Sequence, residues 1–303
     1  MKNGKLFLLV IFSSICCSIS AYSQSFFYSD RQFDNPFVYE FGIGAGVMNC
    51  ITDVGGANSD KGIYINELRS GNYKIGGHVY LGLMYENFIG ARLEGTWGSV
   101  QADDALITST ASQNLITKNN RNLNFRSTIL ELALLAEFHP LMIKYYENGM
   151  PYISPYVVAG VGWFSFNPQT KIANHFEDLQ PLRTEGQGFA EYKDRTPYRR
   201  GQINVPIGLG FRYEASPLIN IRFEFLHRIL FTDYLDDASN SKYINPDLFD
   251  KYLTPRNAAY ARRLYNPSKN GKIPARRGNP DDNDAYMSFS VKVGVVIGRQ
   301  NRY

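Results

Sequence analysis

Several segments of the chain alternate between apolar and polar residues with a period of two. From Tyr73 to Glu86 most odd-numbered residues are large and apolar, whereas the even-numbered residues include Lys74, His78 and Glu86 and two glycines. A β-strand places successive side chains on opposite faces, so this segment has one apolar and one polar face. The pattern predicts a strand whose apolar face suits lipid and whose polar face suits a crowded lumen.

The same alternation predicts eight strands. Seven are clear, whereas Val157-Val158 makes the phase of the segment 152–166 ambiguous. The predicted strands are 38–47, 73–86, 89–99, 127–138, 152–166, 203–214, 219–228 and 286–298. Each has about the length that a tilted strand needs to cross the hydrocarbon layer, roughly 9–11 residues. Eight is also the smallest usual strand number of an outer-membrane barrel.

The connections between these strands alternate between short and long. Residue 87, residues 141–151 and residues 215–218 are short connections, whereas 49–72, 101–126, 167–200 and 232–285 are long ones. Short periplasmic turns and long extracellular loops are typical of outer-membrane barrels. We therefore predict an all-β fold: an eight-stranded antiparallel transmembrane β-barrel of the outer-membrane type over residues 37–303.

The N-terminus predicts export. Lys2 and Lys5 precede an apolar run, which ends at the small residues Ala21-Tyr22-Ser23. This order is typical of a secretory signal peptide, here residues 1–23, and the run is too short to span a bilayer as a helix. Residues 24–36 would then form a periplasmic segment. Lipid attachment at Cys16 is disfavoured because Ile15 stands where a small residue is needed. The predicted location is the cell outer membrane, with outer-membrane lipid around the barrel.

The inward faces predict how the lumen is filled. They carry equal numbers of opposite charges: Glu40, Glu94, Glu131, Glu137, Glu214 and Glu224 against Lys74, Arg92, Arg212, Arg222, Arg228 and Lys292. Such a set favours internal ion pairs over an open pore. The alternative is a soluble barrel with its polar face in water. The many glycines on the polar face favour the membrane barrel, because a narrow lumen needs room and a solvated face does not.

The residues that could carry chemistry are scattered. The four histidines lie on different elements without metal-ligand spacing, and no Gly-x-Ser-x-Gly elbow is present. The formal net charge of +4 gives no reason to expect a nucleic-acid partner. We therefore expect neither an enzyme nor a bound metal or cofactor. Residues 279–284 resemble a cation loop, but they lack the Gly and closing Glu of an EF-hand and favour a solvated acidic turn.

The last long connection predicts a functional or partly disordered loop, because it has about 50 residues without strong periodicity. It contains a basic stretch from Arg256 to Arg277, which could meet anionic lipopolysaccharide or a partner, and some helical patterning between Pro246 and Leu264.

Two segments resemble a known family. Phe231 to Ser239 reads Phe-Thr-Asp-Tyr-Leu-Asp-Asp-Ala-Ser, and the first strand has Gly42-Ile43-Gly44-Ala45-Gly46 leading into Asn49 to Asp53. Together they resemble the PorG-like outer-membrane barrels of Bacteroidota. The resemblance implies a non-enzymatic component of the type IX protein secretion and gliding machinery, which contacts a periplasmic ring lipoprotein.

A loop-exit motif follows from the same residues. It comprises Arg228, Thr232, Asp233, Tyr234, Asp236 and Asp237. The favoured interpretation is structural: the aspartates pair with rim arginines such as Arg228 and fix how the long loop leaves the barrel. A direct ligand site is the alternative.

If the secretion role holds, the partner must be contacted from the periplasmic side. The predicted partner-binding residues lie in the turn 141–151: Lys144, Tyr145, Tyr146 and Glu147. Exposed tyrosines are good interface anchors. Two other functions stay open: a narrow porin-like channel, and a stand-alone adhesin or surface-binding barrel that acts through its outer loops.

Overall fold

The computed structural model describes residues 36–55, 70–107, 113–145, 152–172, 175–216 and 218–297. The predicted signal peptide (1–23) and all but the last residue of the predicted periplasmic segment (24–36) lie outside the described residues.

The described strands form one closed antiparallel barrel. Their bounds are β1 Phe37–Ile51, β2 Lys74–Tyr85, β3 Ile89–Asp103, β4 Asn124–Phe138, β5 Ile153–Ile172, β6 His175–Asp178, β7 Gly201–Ser216, β8 Ile219–Leu230 and β9 Ala285–Ile297. Each barrel strand pairs with its neighbour along the chain, β5 pairs with β7, and β9 pairs with β1 to close the sheet. The short strand β6 folds back onto the end of β5. The predicted fold class, an eight-stranded outer-membrane-type barrel, is confirmed.

β5 is longer than predicted and keeps a single phase. Val157 is 46% exposed on the outer face, and Val158 is 2% exposed on the inner face. The two adjacent valines therefore do not interrupt the alternation. Beyond Trp163 the outward positions become polar, with Ser165, Asn167 and Gln169. Because a polar outer face is unsuited to lipid, this end of β5 stands outside the apolar belt.

The outer face of the barrel is an apolar belt with aromatic residues near both ends. Trp97 and Trp163 are 53% and 52% exposed on the side of the long loops, and Tyr39, Tyr85 and Tyr213 lie exposed toward the short turns. Aromatic girdles of this kind mark the two membrane interfaces of transmembrane barrels.

Glycines make room for large rings on both faces of the sheet. A Cβ atom at Gly77, on the outer face, would lie 2.3 Å from Cζ2 of Trp97, the residue paired with it on β3. A Cβ atom at Gly42, on the inner face, would lie 2.4 Å from the ring of Tyr80. Neither distance is possible for a real Cβ contact. These two glycines therefore allow Trp97 to cover the sheet and Tyr80 to cross the lumen.

Helices occur in the connections. The described ones are α1 Gln113–Arg121, α2 Met142–Tyr145, α3 Leu248–Tyr252 and α4 Pro255–Leu264, with 3₁₀ turns at Ser70–Asn72, Asp104–Leu106 and Gln180–Leu182. Thr254 caps α4 by accepting a hydrogen bond from the Asn257 amide, and Pro255 occupies the first turn, where its missing N–H costs nothing. The helical patterning noted in the last loop thus corresponds to α3 and α4. Among the described residues, no helix has the length and apolar character that crossing a bilayer requires.

Candidate functional site: a sealed lumen and a folded cap

Arg92 is the centre of the ion pairs that fill the lumen. Its guanidinium lies 3.0 Å from Glu94, 2.7 Å from Glu137 and 2.6 Å from Glu224. The three carboxylates come from β3, β4 and β8, so one side chain of β3 bridges the barrel interior. Alternation alone aims these residues inward, because each is in phase with the buried positions of its own strand.

Two further cations complete this network. Lys292 lies 2.7 Å from Glu94 and 2.5 Å from Glu224, and Arg222 lies 2.8 Å from Glu40 and 2.8 Å from Glu137. The hydroxyls of two tyrosines, Tyr80 and Tyr156, donate to Glu40 and Glu224 respectively.

The network closes the lumen to water. Its charged members are at most 4% exposed, whereas a continuous water path would expose the residues along it. The predicted ion pairs are therefore present for most of the inward set. Arg212 and Glu214 are buried nearer the short turns, and neither Lys74 nor Arg212 forms an ion pair with another described residue.

The expected pairing of Arg228 with the loop aspartates is wrong. Arg228 instead lies 3.1 Å from Glu131, and its Nη1 donates to the Ser288 hydroxyl over 2.5 Å. The reason is its position: Arg228 points into the lumen from β8, where Glu131 of β4 lies opposite. Arg228 is thus part of the luminal filling rather than of the loop exit.

The described parts of the long connections form a folded cap over one end of the barrel. We use the word cap for residues 52–55, 104–107, 113–123, 175–200 and 231–284. Its core and the adjoining strand ends form one cluster of buried apolar side chains. The strands contribute Met48, Phe125, Phe164, Phe166 and Tyr286, the third long connection contributes Leu182, Phe189 and Tyr198, and the fourth contributes Leu235, Phe249, Ala258 and Ala261. The cap is therefore continuous with the barrel core.

Asp236 and Asp237 of the loop-exit motif tie separate connections together. The Asp236 carboxylate accepts hydrogen bonds from the amides of Val54 (2.8 Å) and Ala238 (2.9 Å). The Asp237 carboxylate accepts from the hydroxyls of Thr184 (2.5 Å) and Tyr198 (2.8 Å). Asp237 also has φ +62°, a left-handed conformation that Asp tolerates better than most residues.

The rest of the motif is also buried or half-buried in the cap. Tyr234 stacks on Tyr198 with ring centroids 4.7 Å apart, and the Thr232 carbonyl accepts from the Asp284 amide over 3.1 Å. Asp233 is only 8% exposed. The motif residues other than Arg228 thus lie together, and their hydrogen bonds and ring stacking hold the cap in place.

A second buried centre was not found from the sequence. Glu185 accepts from the amides of Ser239 and Asn240 and lies 3.1 Å from Arg277. Arg277 also donates to the Thr184 hydroxyl and the Tyr265 carbonyl. The sequence shows Arg276-Arg277 as one basic pair in a loop, with no periodicity that marks the second arginine as buried. Burial raises the pKa of Glu185 to about 7, although Arg277 opposes this shift.

Four aspartates meet at the junction of cap and barrel: Asp53, Asp233, Asp236 and Asp284. Burial, and then the neighbouring carboxylates, raise the pKa of Asp236 to about 7 and that of Asp233 to about 9. The same causes raise the pKa of Asp284 well above its usual range. Burial of four carboxyl groups so close together therefore favours their protonated forms. Within the described residues, no group of three or more His, Cys, Asp or Glu side chains is arranged to hold a metal ion.

The acidic stretch 279–284 divides into two parts. Asp281 and Asp282 are exposed, as a solvated turn requires, but Asp284 is 3% exposed and accepts a hydrogen bond from the Leu235 amide. The expectation of a solvated turn is thus wrong for Asp284, since the start of β9 carries it under the cap. The neighbouring basic stretch keeps most of its cations at the surface, with Arg277 as the buried exception.

The predicted periplasmic partner site is not described in atomic detail. The backbone of Lys144 and Tyr145 belongs to α2, whereas their side chains, together with Tyr146 and Glu147, lie outside the described residues. The structure therefore gives no geometry for this site, and it stays a prediction.

No protein-family model and no curated protein sequence matches the chain. Among solved structures, neisserial surface protein A has 9% identity and a TM-score of 0.39, covering 86% of this chain and 97% of its own. Ail, the attachment invasion locus protein of Yersinia pestis, solved with the heparin analogue sucrose octasulfate, has 11% identity and a TM-score of 0.36, covering 87% and 100%. OprG of Pseudomonas aeruginosa has 10% identity and a TM-score of 0.34, covering 86% and 95%.

The class of the protein follows from its own strand pairing, apolar belt and filled lumen. It is an eight-stranded β-barrel of the outer-membrane type. Membership of the PorG-like family stays a prediction.

Proposed function

We propose that this chain is a non-enzymatic, non-conducting protein of the outer membrane that binds a ligand at the cell surface through its cap. The observation that carries the proposal is the division of the molecule: ion pairs close the lumen, while the long connections fold into one body. The short turns face the periplasm in barrels of this type, so the cap faces outward.

The cap is costly to fold, which favours a binding role. Ordering a residue costs about 1–2 kcal/mol of backbone entropy, and barrel loops need not be ordered for the barrel to stand. Here the cap aligns buried pairs such as Glu185 with Arg277 and leaves cations at its surface. A fixed, charged outer surface is what a binding protein needs and what a lipid anchor does not.

Cells displaying the protein provide the test. Wild-type cells and cells with residues 242–282 replaced by a short Gly-Ser turn would be exposed to a panel of neutral and anionic polysaccharides and matrix proteins. The proposal expects at least one panel member to be retained by wild-type cells and lost with the cap. A lipid-facing variant, Leu132→Met, controls for surface amount. Equal retention by capped and capless cells across the panel would contradict the proposal.

A second candidate is the anchoring of a periplasmic ring complex in the type IX secretion and gliding machinery. The resemblance of residues 231–239 to PorG-like barrels supports it. The test is affinity isolation of the tagged protein from detergent-solubilised outer membranes. Recovery of a ring lipoprotein that is reduced by Tyr145→Ala/Tyr146→Ala would support this role, and recovery of the barrel alone would count against it.

A further inference from the structure

The cap contains a cavity of about 200 Å³ at the side of the barrel rim. Its wall is formed by the start of β4, the end of β5, the last turn of α4 and Pro267, with Asn124, Thr170, Lys171 and Arg263 among the lining residues. The buried side chains of Asp236 and Arg277 also line it. Liquid water takes about 30 Å³ per molecule, so the space suits a single sugar ring rather than a peptide or a lipid chain.

The mouth of this cavity is positively charged. Lys171 and Arg263 are both exposed, and neither forms an ion pair with another described residue. Their neighbours differ: Arg256 and Arg262 are paired with Glu177 and Asp250. Two cations without an ion pair at one opening attract an anionic group, and Asp236, the carboxylate in the wall, is buried and already accepts from two backbone amides.

The polar groups of the wall suit hydroxyls. Asn124 uses its Oδ1 to accept from Thr170, and Asn122 uses its Nδ2 to donate to the Pro267 carbonyl. The Asn124 Nδ2 donor and the Asn122 Oδ1 acceptor are thus left for a ligand. Leu264 and Pro267 add apolar surface between the polar groups. A hydroxylated ring with apolar C–H faces matches such a mixed wall.

The height of the cavity separates it from the lipid headgroups. Lys171 lies about eight residues beyond Trp163, which marks the membrane interface on β5. At about 3.3 Å per residue and a strand tilt of about 40°, Lys171 stands roughly 20 Å above that interface. The ligand therefore comes from a saccharide outside the lipid layer.

We propose that this cavity binds one anionic sugar unit, a ring bearing a carboxylate or phosphate, with Lys171 and Arg263 contacting the anion and Asn122 and Asn124 contacting hydroxyls. The inference rests on the proposed surface-binding function and names the ligand class. Free polysaccharide and the sugar chain of lipopolysaccharide both offer this chemistry.

Calorimetric titration of the full-length protein in detergent tests the inference. The probes are glucuronate and glucose 6-phosphate, with glucose as the uncharged comparison. We expect saturable binding of at least one anionic probe, weaker binding of glucose, and a loss of about fivefold in affinity for Lys171→Gln and for Arg263→Gln. Lys272→Gln, an exposed cation of the same loop outside the cavity lining, should bind as the wild type does.

Absence of saturable binding up to about 10 mM probe, or an equal loss in the Lys272→Gln control, would overturn the inference. If either result is obtained while wild-type cells still retain a panel ligand that is lost with the cap, the proposed surface-binding function stands and only the cavity assignment fails. If the probes bind, lipopolysaccharide with and without its sugar chain distinguishes the two sources: Arg263-dependent binding of the complete form assigns the ligand to the membrane, and its absence assigns it to a free saccharide.

Discussion

Replacing Arg92 by Met should destabilise the barrel more than any change of similar size on its outer face. Arg92 contacts Glu94, Glu137 and Glu224 inside the lumen, and Met keeps much of the volume while removing the charge. Lys292 still faces two of these carboxylates and Arg222 the third. Removing one partner of a buried ion pair costs about 3–5 kcal/mol when the other partner stays buried with its charge uncompensated, and because Lys292 and Arg222 still compensate part of this charge we expect a loss of about 3 kcal/mol.

The assay is reversible unfolding in guanidinium from phospholipid vesicles. The protein has two tryptophans, Trp97 and Trp163, and both face lipid at about half exposure, so their fluorescence reports loss of the membrane-inserted barrel. The matched control is Leu93→Met on the lipid face beside Arg92, for which we expect a change below about 1.5 kcal/mol.

The double variant Arg92→Met/Glu224→Gln provides a second test if the single variant folds poorly. It removes a carboxylate together with the cation, so it should be more stable than Arg92→Met alone. Equal stability of Arg92→Met and Leu93→Met would refute the assignment of Arg92 to a buried ion-pair network.

Three further predictions concern the cap and the sheet. Asp236 and Glu185 have folded pKa values of about 7 against ordinary values near 4, so their contribution to cap stability is complete below pH 4 and is lost as pH rises through 7. Protease cleavage of the cap should therefore be slower at pH 5 than at pH 8, and Asp236→Asn should reduce this difference. The opposite pH trend would contradict the account. Leu235→Ala, at a fully buried position, should cost the cap about 2–5 kcal/mol while the barrel stays heat-modifiable on gels, and unchanged protease resistance would count against it. Gly42→Ala places a methyl group against the Tyr80 ring and should lower the free energy of unfolding in guanidinium by about 1–3 kcal/mol. Gly82→Ala, whose Cβ would have its nearest neighbour at 3.7 Å, should lower it less. Equal losses of stability in the two variants would refute the packing argument.

The barrel could be predicted because the alternation of side chains along a strand depends only on neighbouring residues. Alternation places Arg92, Glu94 and Lys292 on the inner face, and charge balance then predicts that they pair. The rule fails where the outer face leaves lipid: alternation predicts that β5 ends at Phe166, but the strand continues to Ile172 with polar residues facing outward. A strand outside the membrane no longer shows an apolar and a polar face.

The cap was not predictable because its contacts join residues far apart in the chain. Asp236 accepts from Val54, 182 residues away, and Glu185 lies against Arg277 at a separation of 92 residues. The sequence places the loop aspartates close together, but their partners are backbone amides, hydroxyls and Arg277 rather than Arg228. The sequence alone does not show which of the long connections pack against each other. It also does not show which of the two adjacent arginines, Arg276 and Arg277, is buried.

The most direct test of the account is single-channel recording of the purified full-length protein in planar lipid bilayers. The ion pairs around Arg92 leave the lumen closed to water, so the account predicts no stable conductance steps. Reproducible, long-lived steps from the folded barrel would contradict the sealed lumen and would move the function from the cap to transport through the barrel.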